Sequence, residues 1–581
     1  MPDPDLRLIE SFDEAQQFMT WLGERRTWLA VDTETGGLDW WRERLRTVQI
    51  GDTETGWTIP WEMWGGLAKD AIERYTGPTV MHNSKFDLHF LEHNGVKYPR
   101  HNLHDTMPMV GLIEPAMAKG LKPASERHVL KGAAQGGRAL KSAMSKGKWT
   151  WDTVPINLPE YWIYASLDTV LTARLAEKFY PIIEAQYKRA YETEVAVAQV
   201  LCDMETRGML IDPHYVADMS IWLDLQEVDL LGWFRDEVHI KNPMADAQTI
   251  RWFQSNGHQF TKRTEKGNLA LDSEVLLDIA ASDVWYSPVA AGVNRLRDLH
   301  KTRVTYFDAF MEFADDNDRI HTQINPMEAI TARMSSTRPN LQNIPARKHG
   351  KMVRDSFLAG PGNKLISADF DQIEYRIMVS RAGEQNLIDA INGGQDLHTY
   401  MTSVVYGKPY EDVQPEERGV MKNATFAFLY GAGNTKFADM AGISINDAVE
   451  FRKMYSTQFP AIDHYARTIN QLGATQGSVV TGYLGRKQAI WSKKESYKLL
   501  NYATQGEAGD VLKAKMVELS MTDAGQYMLL PIHDELLFEV PEEDAEEIKN
   551  IIEDVMPENH AFHVPLSVGA DIVTRWGDKY S

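Results

Sequence analysis

Leu365-Ile366-Ser367-Ala368-Asp369-Phe370-Asp371-Gln372-Ile373-Glu374-Tyr375-Arg376 is the stretch whose reading decides the fold. Its apolar start (Leu365, Ile366, Ala368) predicts a buried strand. The strand ends in a carboxylate, Asp369, where a turn would begin. A second arrangement of this kind lies far downstream. Tyr527–Ile532 and Leu536–Val540 predict the strands of a hairpin with His533-Asp534-Glu535 at its tip. Pro531 has no backbone donor and suits an edge or a bulge. Taken singly, Asp369 and Asp534 would be ordinary turn aspartates. Brought to one sheet edge, they can hold a pair of hard divalent cations, as in-line phosphoryl displacement requires.

Between them, Arg418, Lys422, Phe426 and Tyr430 recur every four residues, followed by Gly431. Each step of four drifts only about 40° around a helix, so all four project from one side. Two cations followed by two aromatics suit a nucleoside triphosphate, with charge for the phosphates and flat rings for sugar and base. Alone, the same pattern would also fit a snorkelling basic end on an aromatic core stripe.

Together the three stretches resemble the family A DNA polymerases, the group of bacterial DNA polymerase I and its phage relatives. DFDQIEYR is similar to that family's motif A, RxxxKxxxFxxxYG to motif B and HDE to motif C, and the likeness runs over nearly the whole chain. It implies an α/β multidomain protein: a ribonuclease H-like 3′–5′ exonuclease domain, then a right-hand polymerase with thumb, antiparallel-sheet palm and helical fingers. The implied bounds are residues 1–187 for the exonuclease and 188–581 for the polymerase. Within the latter, the thumb is about 188–325, the palm about 326–395 and 475–581, and the fingers about 396–474.

By the same resemblance, Asp369, Asp534 and the Phe370 carbonyl bind metal, and Glu535 belongs to the catalytic set. Gln372, Glu374, His398, Arg418, Lys422, Phe426 and Tyr430 face the nucleotide. Glu374 is the steric gate against a ribose 2′-hydroxyl, and Arg376 anchors Glu374 or its strand. Lys422 protonates pyrophosphate. Phe426 stacks on the sugar, and a phenylalanine there implies discrimination against dideoxynucleotides. Tyr430 fills the templating slot. Arg333, Asn343, Asn501, Gln505 and His533 contact DNA. Arg333 reaches the minor groove at the primer end, where every correct pair shows similar acceptors. Three residues depart from the family: Asp371 for serine, Tyr375 for leucine, and Tyr497 for a DNA-contacting arginine, with Lys498 beside it.

The first sixty residues carry a separate signal. Thr27–Asp32, Leu45–Gly51 and Gly56–Pro60 predict strands, the first running into Asp32-Thr33-Glu34-Thr35. Alternation puts Asp32 and Glu34 on one face. Asp87 follows the strand-like Thr79–Asn83, and Tyr164 and Asp168 share a helical face. Four carboxylates and a tyrosine make a two-metal hydrolytic site. The set resembles the three proofreading motifs, with Asp32, Glu34, Asp87 and Asp168 as ligands and Tyr164 orienting water. Residues 116–150, rich in Gly, Ala and Lys, read as a loop beside the DNA strand.

Bulk properties agree with this picture. At 581 residues the chain exceeds one core. A single cysteine, Cys202, excludes an internal disulfide and a cysteine-built zinc site. No apolar run reaches the length of a membrane span. The net charge of −21 sets only the far field. Two local basic runs are candidate grooves: Lys119, Lys122, Arg127, Lys131, Arg138, Lys141, Lys146 and Lys148, and then Arg295, Arg297, Lys301 and Arg303. Gly208 predicts a helix end and Asp212-Pro213 the next start.

The expected activity is DNA-templated extension of a primer with dNTPs plus 3′–5′ proofreading, in phage DNA replication. Two Mg2+ ions serve each site, with Mn2+ as a substitute. The implied partners are primer–template DNA and dNTPs, with helicase, primase and single-strand binding protein at the fork. The enzyme is expected to be a cytoplasmic monomer without a membrane partner, in the host cytoplasm if phage-encoded. With about thirty residues ahead of Asp32, no 5′-nuclease domain is expected. Alternatives are a single-subunit RNA polymerase, a silent polymerase-shaped scaffold, and an enzyme that is chiefly a nuclease.

Overall fold

Two sheets carry the carboxylates. The computed structural model describes residues 3–345 and 349–580. In the N-terminal part, β1 (Asp5–Leu8), β2 (Leu29–Thr35), β3 (Leu45–Gly51), β4 (Thr55–Pro60), β5 (Thr79–Met81) and β6 (Leu103–Asp105) form one mixed sheet. The strand order is β1-β4-β3-β2-β5-β6. β2, β3 and β4 are antiparallel, and β1, β5 and β6 join in parallel. Along β2, Val31, Thr33 and Thr35 are buried while Asp32 and Glu34 are half-buried, so the two acids share the opposite face. Helix Pro159–Gln186 crosses this sheet at very close range. A Cβ on Gly56 would stand 2.2 Å from the Ser166 carbonyl, so only glycine fits there.

The stretch 116–150 is not a loop. It forms helices Leu121–His128 and Gln135–Gly147. Leu140 and Met144, four residues apart, bury against Val154 and Tyr161, and this small apolar stripe holds a segment whose composition is otherwise polar. Further on, helix Lys188–Arg207 stops at Gly208 (φ +65°). Asp212 caps helix Pro213–Trp233 by accepting the Tyr215 N–H, as the sequence predicts. Two of the four cations in the basic run 295–303 are neutralised. Arg297 pairs with Asp246, and Arg303 with Glu227 and Asp308.

The second sheet consists of β7 (Asn363–Phe370), β8 (Met528–Ile532), β9 (Glu535–Pro541) and β10 (Val568–Val573). Its order is β8-β9-β7-β10, antiparallel throughout. Pro531 lies on the edge strand β8, just past a register shift between Met528 and Leu530. Leu365, Ile366 and Phe538 pack into a core with Trp576 and helix Leu499–Ser520. Helices Leu397–Tyr406, Pro415–Leu429, Ile445–Gln458 and Pro460–Thr475 form a separate cluster beside it. The acidic run after β9 is helix Ala545–Val555, with Ile548 and Ile552 turned inward.

Buried ion clusters join the N-terminal sheet to the rest. Glu205 receives Lys85 Nζ at 2.5 and 2.6 Å and meets His89 Nε2 at 2.7 Å, and its carboxylate also accepts the Ile324 N–H. Trp40 stacks on His89 with centroids 5.0 Å apart. Asp39 is held by Arg338 (2.7 Å) and Arg42 (2.5 Å). Deeper in, Glu194 pairs with Arg486 and Lys513, all three buried. Removing one partner of such a pair leaves the other charge without compensation, at about 3–5 kcal/mol. Glu205→Ala is therefore expected to lower the calorimetric unfolding temperature sharply. Lys85→Met/Glu205→Leu, which removes both charges, should recover most of the loss. Equal destabilisation by the two variants would show that the ion pair is not what holds this joint.

Candidate active sites

Antiparallel register builds the first site. Asp369 stands opposite Glu535, and the Phe370 N–H donates to the Asp534 carbonyl at 3.2 Å. The end of β7 thus lies against the β8–β9 turn, where His533 adopts φ +55°. Asp369 is half exposed. Burial, together with the charges of Glu535, Asp534 and Asp371, raises its carboxyl to about 6, against the opposing pull of Lys579. Asp534 is raised in the same direction by burial, with Arg333 opposing.

Arg333 ties this pair to Glu374. Its Nη2 is ion-paired with Glu374 and stands 3.5 Å from Asp534 Oδ1, while its Nε has no partner. Glu374 is buried, with Oε2 unpartnered. Arg376 does not touch Glu374. It donates to the Asp371 and Pro565 carbonyls and so fixes the strand end, the second of the two roles expected for it. Glu535, directly opposite Asp369, is held by Ser367, Lys579 and Trp576, and the same Lys579 ammonium lies 3.9 Å from Asp369 Oδ2.

The four-residue repeat lies on helix Pro415–Leu429, with Tyr430 as its C-cap. Arg418 binds Asp396 bidentately at 2.8 Å through both nitrogens. Asp396 also caps helix Leu397–Tyr406. Burial raises its pKa, but Arg418 and Thr399 outweigh burial and hold it well below the usual range. Lys422 is exposed. Phe426 and Tyr430 stack at 6.4 Å, and Tyr430 meets Gln505. His398 is buried with neither ring nitrogen partnered, and burial lowers it to about 4. Asn501 Oδ1 and Gln372 Oε1, like Glu374 Oε2, are buried without a partner. Asn343 is exposed, its carbonyl accepting from Tyr306. Gly431 has φ +64°, and a Cβ there would meet the Tyr497 carbonyl at 2.7 Å. Tyr375 bonds through its hydroxyl to Tyr455, which accounts for its departure from leucine.

In the N-terminal site, carboxylate oxygens of Asp32, Glu34 and Asp168 lie within 4.8 Å of one another, a donor set suited to a hard divalent cation. Burial raises Asp32 to about 7 and, with Asp32's charge added, Glu34 to about 8. Asp87 is not in this cluster. It accepts from Thr33 Oγ1 at 2.7 Å, and burial, with the nearby Asp32 charge added, raises its carboxyl well above the usual range. Its helix is started by Asp105, which takes the Asn83 and Ser84 N–H groups. Tyr164 flanks the cluster on the helix that carries Asp168.

Sequence reading missed Asp105, Asp396 and Lys579. Asp396 had a local signal, an aspartate three residues ahead of Thr399 at a helix start. Lys579 had none.

A sequence profile described as DNA polymerase family A matches residues 243–578, more than half of the chain. The chain belongs to DNA polymerase family A. A profile for a 3′–5′ exonuclease matches residues 7–184 of the polymerase. The DNA polymerase of Mycobacterium phage D29 is 28% identical over 603 aligned residues, covering 99% of this chain and 97% of that protein. DNA polymerase I of Chloroflexus aurantiacus is 28% identical over 86% of this chain and 55% of its own length. The POL domain of Pol1 from M. smegmatis, solved in complex with DNA primer-template and dNTP, shares the fold. Its TM-score is 0.81 at 24% identity, over 99% of this chain and all of that one. This family A polymerase is thus a DNA-directed DNA polymerase with a 3′–5′ exonuclease domain, and the RNA polymerase and scaffold alternatives fall away. Among the described residues, no helix is long and apolar enough to cross a membrane.

Carboxyls raised above their unfolded values, near 4, bind extra protons in the folded state. Their contribution to stability is complete at low pH and is lost as pH rises through about 6 to 8. Were these carboxylates to hold a divalent cation, it would replace those protons. The gain in melting temperature on replacing EDTA with Mg2+ should therefore grow between about pH 5 and pH 8. A gain that shrinks over that window would contradict the assignment.

Proposed function

We propose that this polymerase extends a DNA primer with dNTPs at the Asp369/Asp534 site and removes mispaired ends at the Asp32/Glu34/Asp168 site. The observation that carries the reading is the register that sets Asp369 against the Asp534 turn, with Arg333 and Glu374 alongside. Asp369, the Phe370 carbonyl and Asp534 would hold two divalent cations, Mg2+ by preference. When bound, these cations supply an acidified 3′-hydroxyl and charge for the departing pyrophosphate.

The chain's own groups do the rest. Arg418 exchanges the Asp396 carboxylate for phosphate oxygens, one anion for another, so its guanidinium is already oriented. Lys422 Nζ holds the triphosphate and gives its proton to the leaving group. Phe426 stacks on the sugar. Tyr430, against Phe426 and Gln505, fills the templating slot until the finger helices close. Glu374 is buried and pinned by Arg333, which makes it a rigid wall where a 2′-hydroxyl would sit. Arg333 has five donors, enough to keep Glu374 and still offer Nε to the minor groove of the primer-terminal pair. Asn343, Asn501, Gln505 and His533 line the same DNA path, and His398 and Gln372 line the nucleotide pocket.

In the nuclease site, Tyr164 orients the attacking water, and Asp87 swings from Thr33 to complete the ligand set. Residues 1–187 carry this activity and 188–581 the synthesis. Likeness to mycobacteriophage enzymes over nearly the full chain supports work in phage replication, in the cytoplasm of a bacterial host.

On a labelled primer–template with Mg2+, dNTPs should give growth, rNTPs little growth, and no nucleotide shortening. Asp534→Ala should slow extension at least about a thousandfold and leave shortening intact. Asp32→Ala should do the reverse. Loss of both activities in either folded variant would refute the division.

A further inference from the structure

A cation already stands inside the nuclease carboxylates. Lys122 is the second residue of helix Leu121–His128, and its side chain turns inward rather than into solvent, 17% exposed. Its ammonium is ion-paired with Asp168 and lies 4.2 Å from the centre of the Tyr164 ring. Asp32 and Glu34 act on it as further counter-charges. The other cations of this run behave differently. Lys131, Arg138, Lys141, Lys146 and Lys148 are exposed, Lys119 reaches the Met327 and Glu328 carbonyls, and Arg127 pairs with Glu114.

An ammonium is a compact, strongly hydrated point charge on a flexible stem. Three carboxylates this close cannot all be ionised without a cation among them. An ammonium and a metal ion cannot share that place. We propose that Lys122 is the resident counter-ion of the exonuclease site, which a divalent cation must displace, so that Lys122 sets the metal concentration at which the site loads. The displaced ammonium keeps the Tyr164 ring face as a nearby cation–π partner. The inference rests on the reading of Asp32, Glu34 and Asp168 as metal ligands.

The test is Mn2+ binding to the full-length chain, read by electron paramagnetic resonance of the free ion. An Asp369→Ala/Asp534→Ala background removes the polymerase site from the signal. In that background, Lys122→Met should tighten Mn2+ binding at least about tenfold. Lys122→Arg, which keeps the charge, should bind as weakly as the parent. Lys141→Met, which removes an exposed charge from the same run, should change nothing. Unchanged or weaker binding in Lys122→Met would overturn the proposal, as would equal tightening in Lys141→Met. If Lys122→Met does not fold, Lys122→Gln is read by the same criteria. Adding Asp32→Ala/Asp168→Ala separates the two levels of inference. Mn2+ binding that survives this change sinks the ligand assignment itself. Binding that is lost there but indifferent to Lys122 sinks only the resident-cation role.

Discussion

Everything at the synthetic site depends on the register between β7 and β9. Side chains in a strand alternate between faces, so a slip of one residue would turn Asp369 into the core and Ala368 toward solvent. Three features fix the register. Ile366 and Ala368 are buried, and Phe538 and Leu536 are buried opposite them. Ser367 bonds Glu535 across the ladder, and Lys579 bridges both from below. The Phe370–Asp534 backbone bond then closes the ladder at its open end. Glu535 is thus a splint inside the sheet, and its neighbour Asp534 is free to face the opening.

The two sites meet the same electrostatic problem in different ways. At the polymerase site the acids sit at a half-open sheet edge with Arg333 and Lys579 at either side, and their protonation is shifted modestly. In the nuclease site the acids are more deeply enclosed, between a sheet and a helix that approach closely enough to require Gly56. Burial there pushes the carboxyls into the neutral range. Enclosure strengthens every charge interaction, so the deeper site depends more on whatever cation it holds.

Strands, hairpin and motif helix were legible because their signals are local. Alternation exposes Asp32 and Glu34, Pro531 marks the edge, and Gly208 with Asp212 marks a helix break. The nature of the departure at Tyr375 was not legible, because its reason, Tyr455, lies 80 residues away. Lys579 and Glu205 act across similar or larger gaps, and no local pattern distinguishes them from solvated charges. The stretch 116–150 was misjudged for another reason. Its composition is that of a loop, and only the pairing of Leu140 with Met144 against Tyr161 reveals a helix.

The chain order of the two carboxylate sets has a consequence for synthesis on the ribosome. Asp32, Glu34 and Asp168 have all emerged by the end of helix Pro159–Gln186, whereas the polymerase sheet lacks an edge until β10 and Trp576 are made. Some 400 residues separate these points, about 20–80 s of translation. Domains fold as they emerge, N-terminal first. A chain released early in that interval holds the exonuclease domain with its three clustered carboxylates and none of the strands of the second sheet, so incomplete translation would yield only the degradative half of the enzyme.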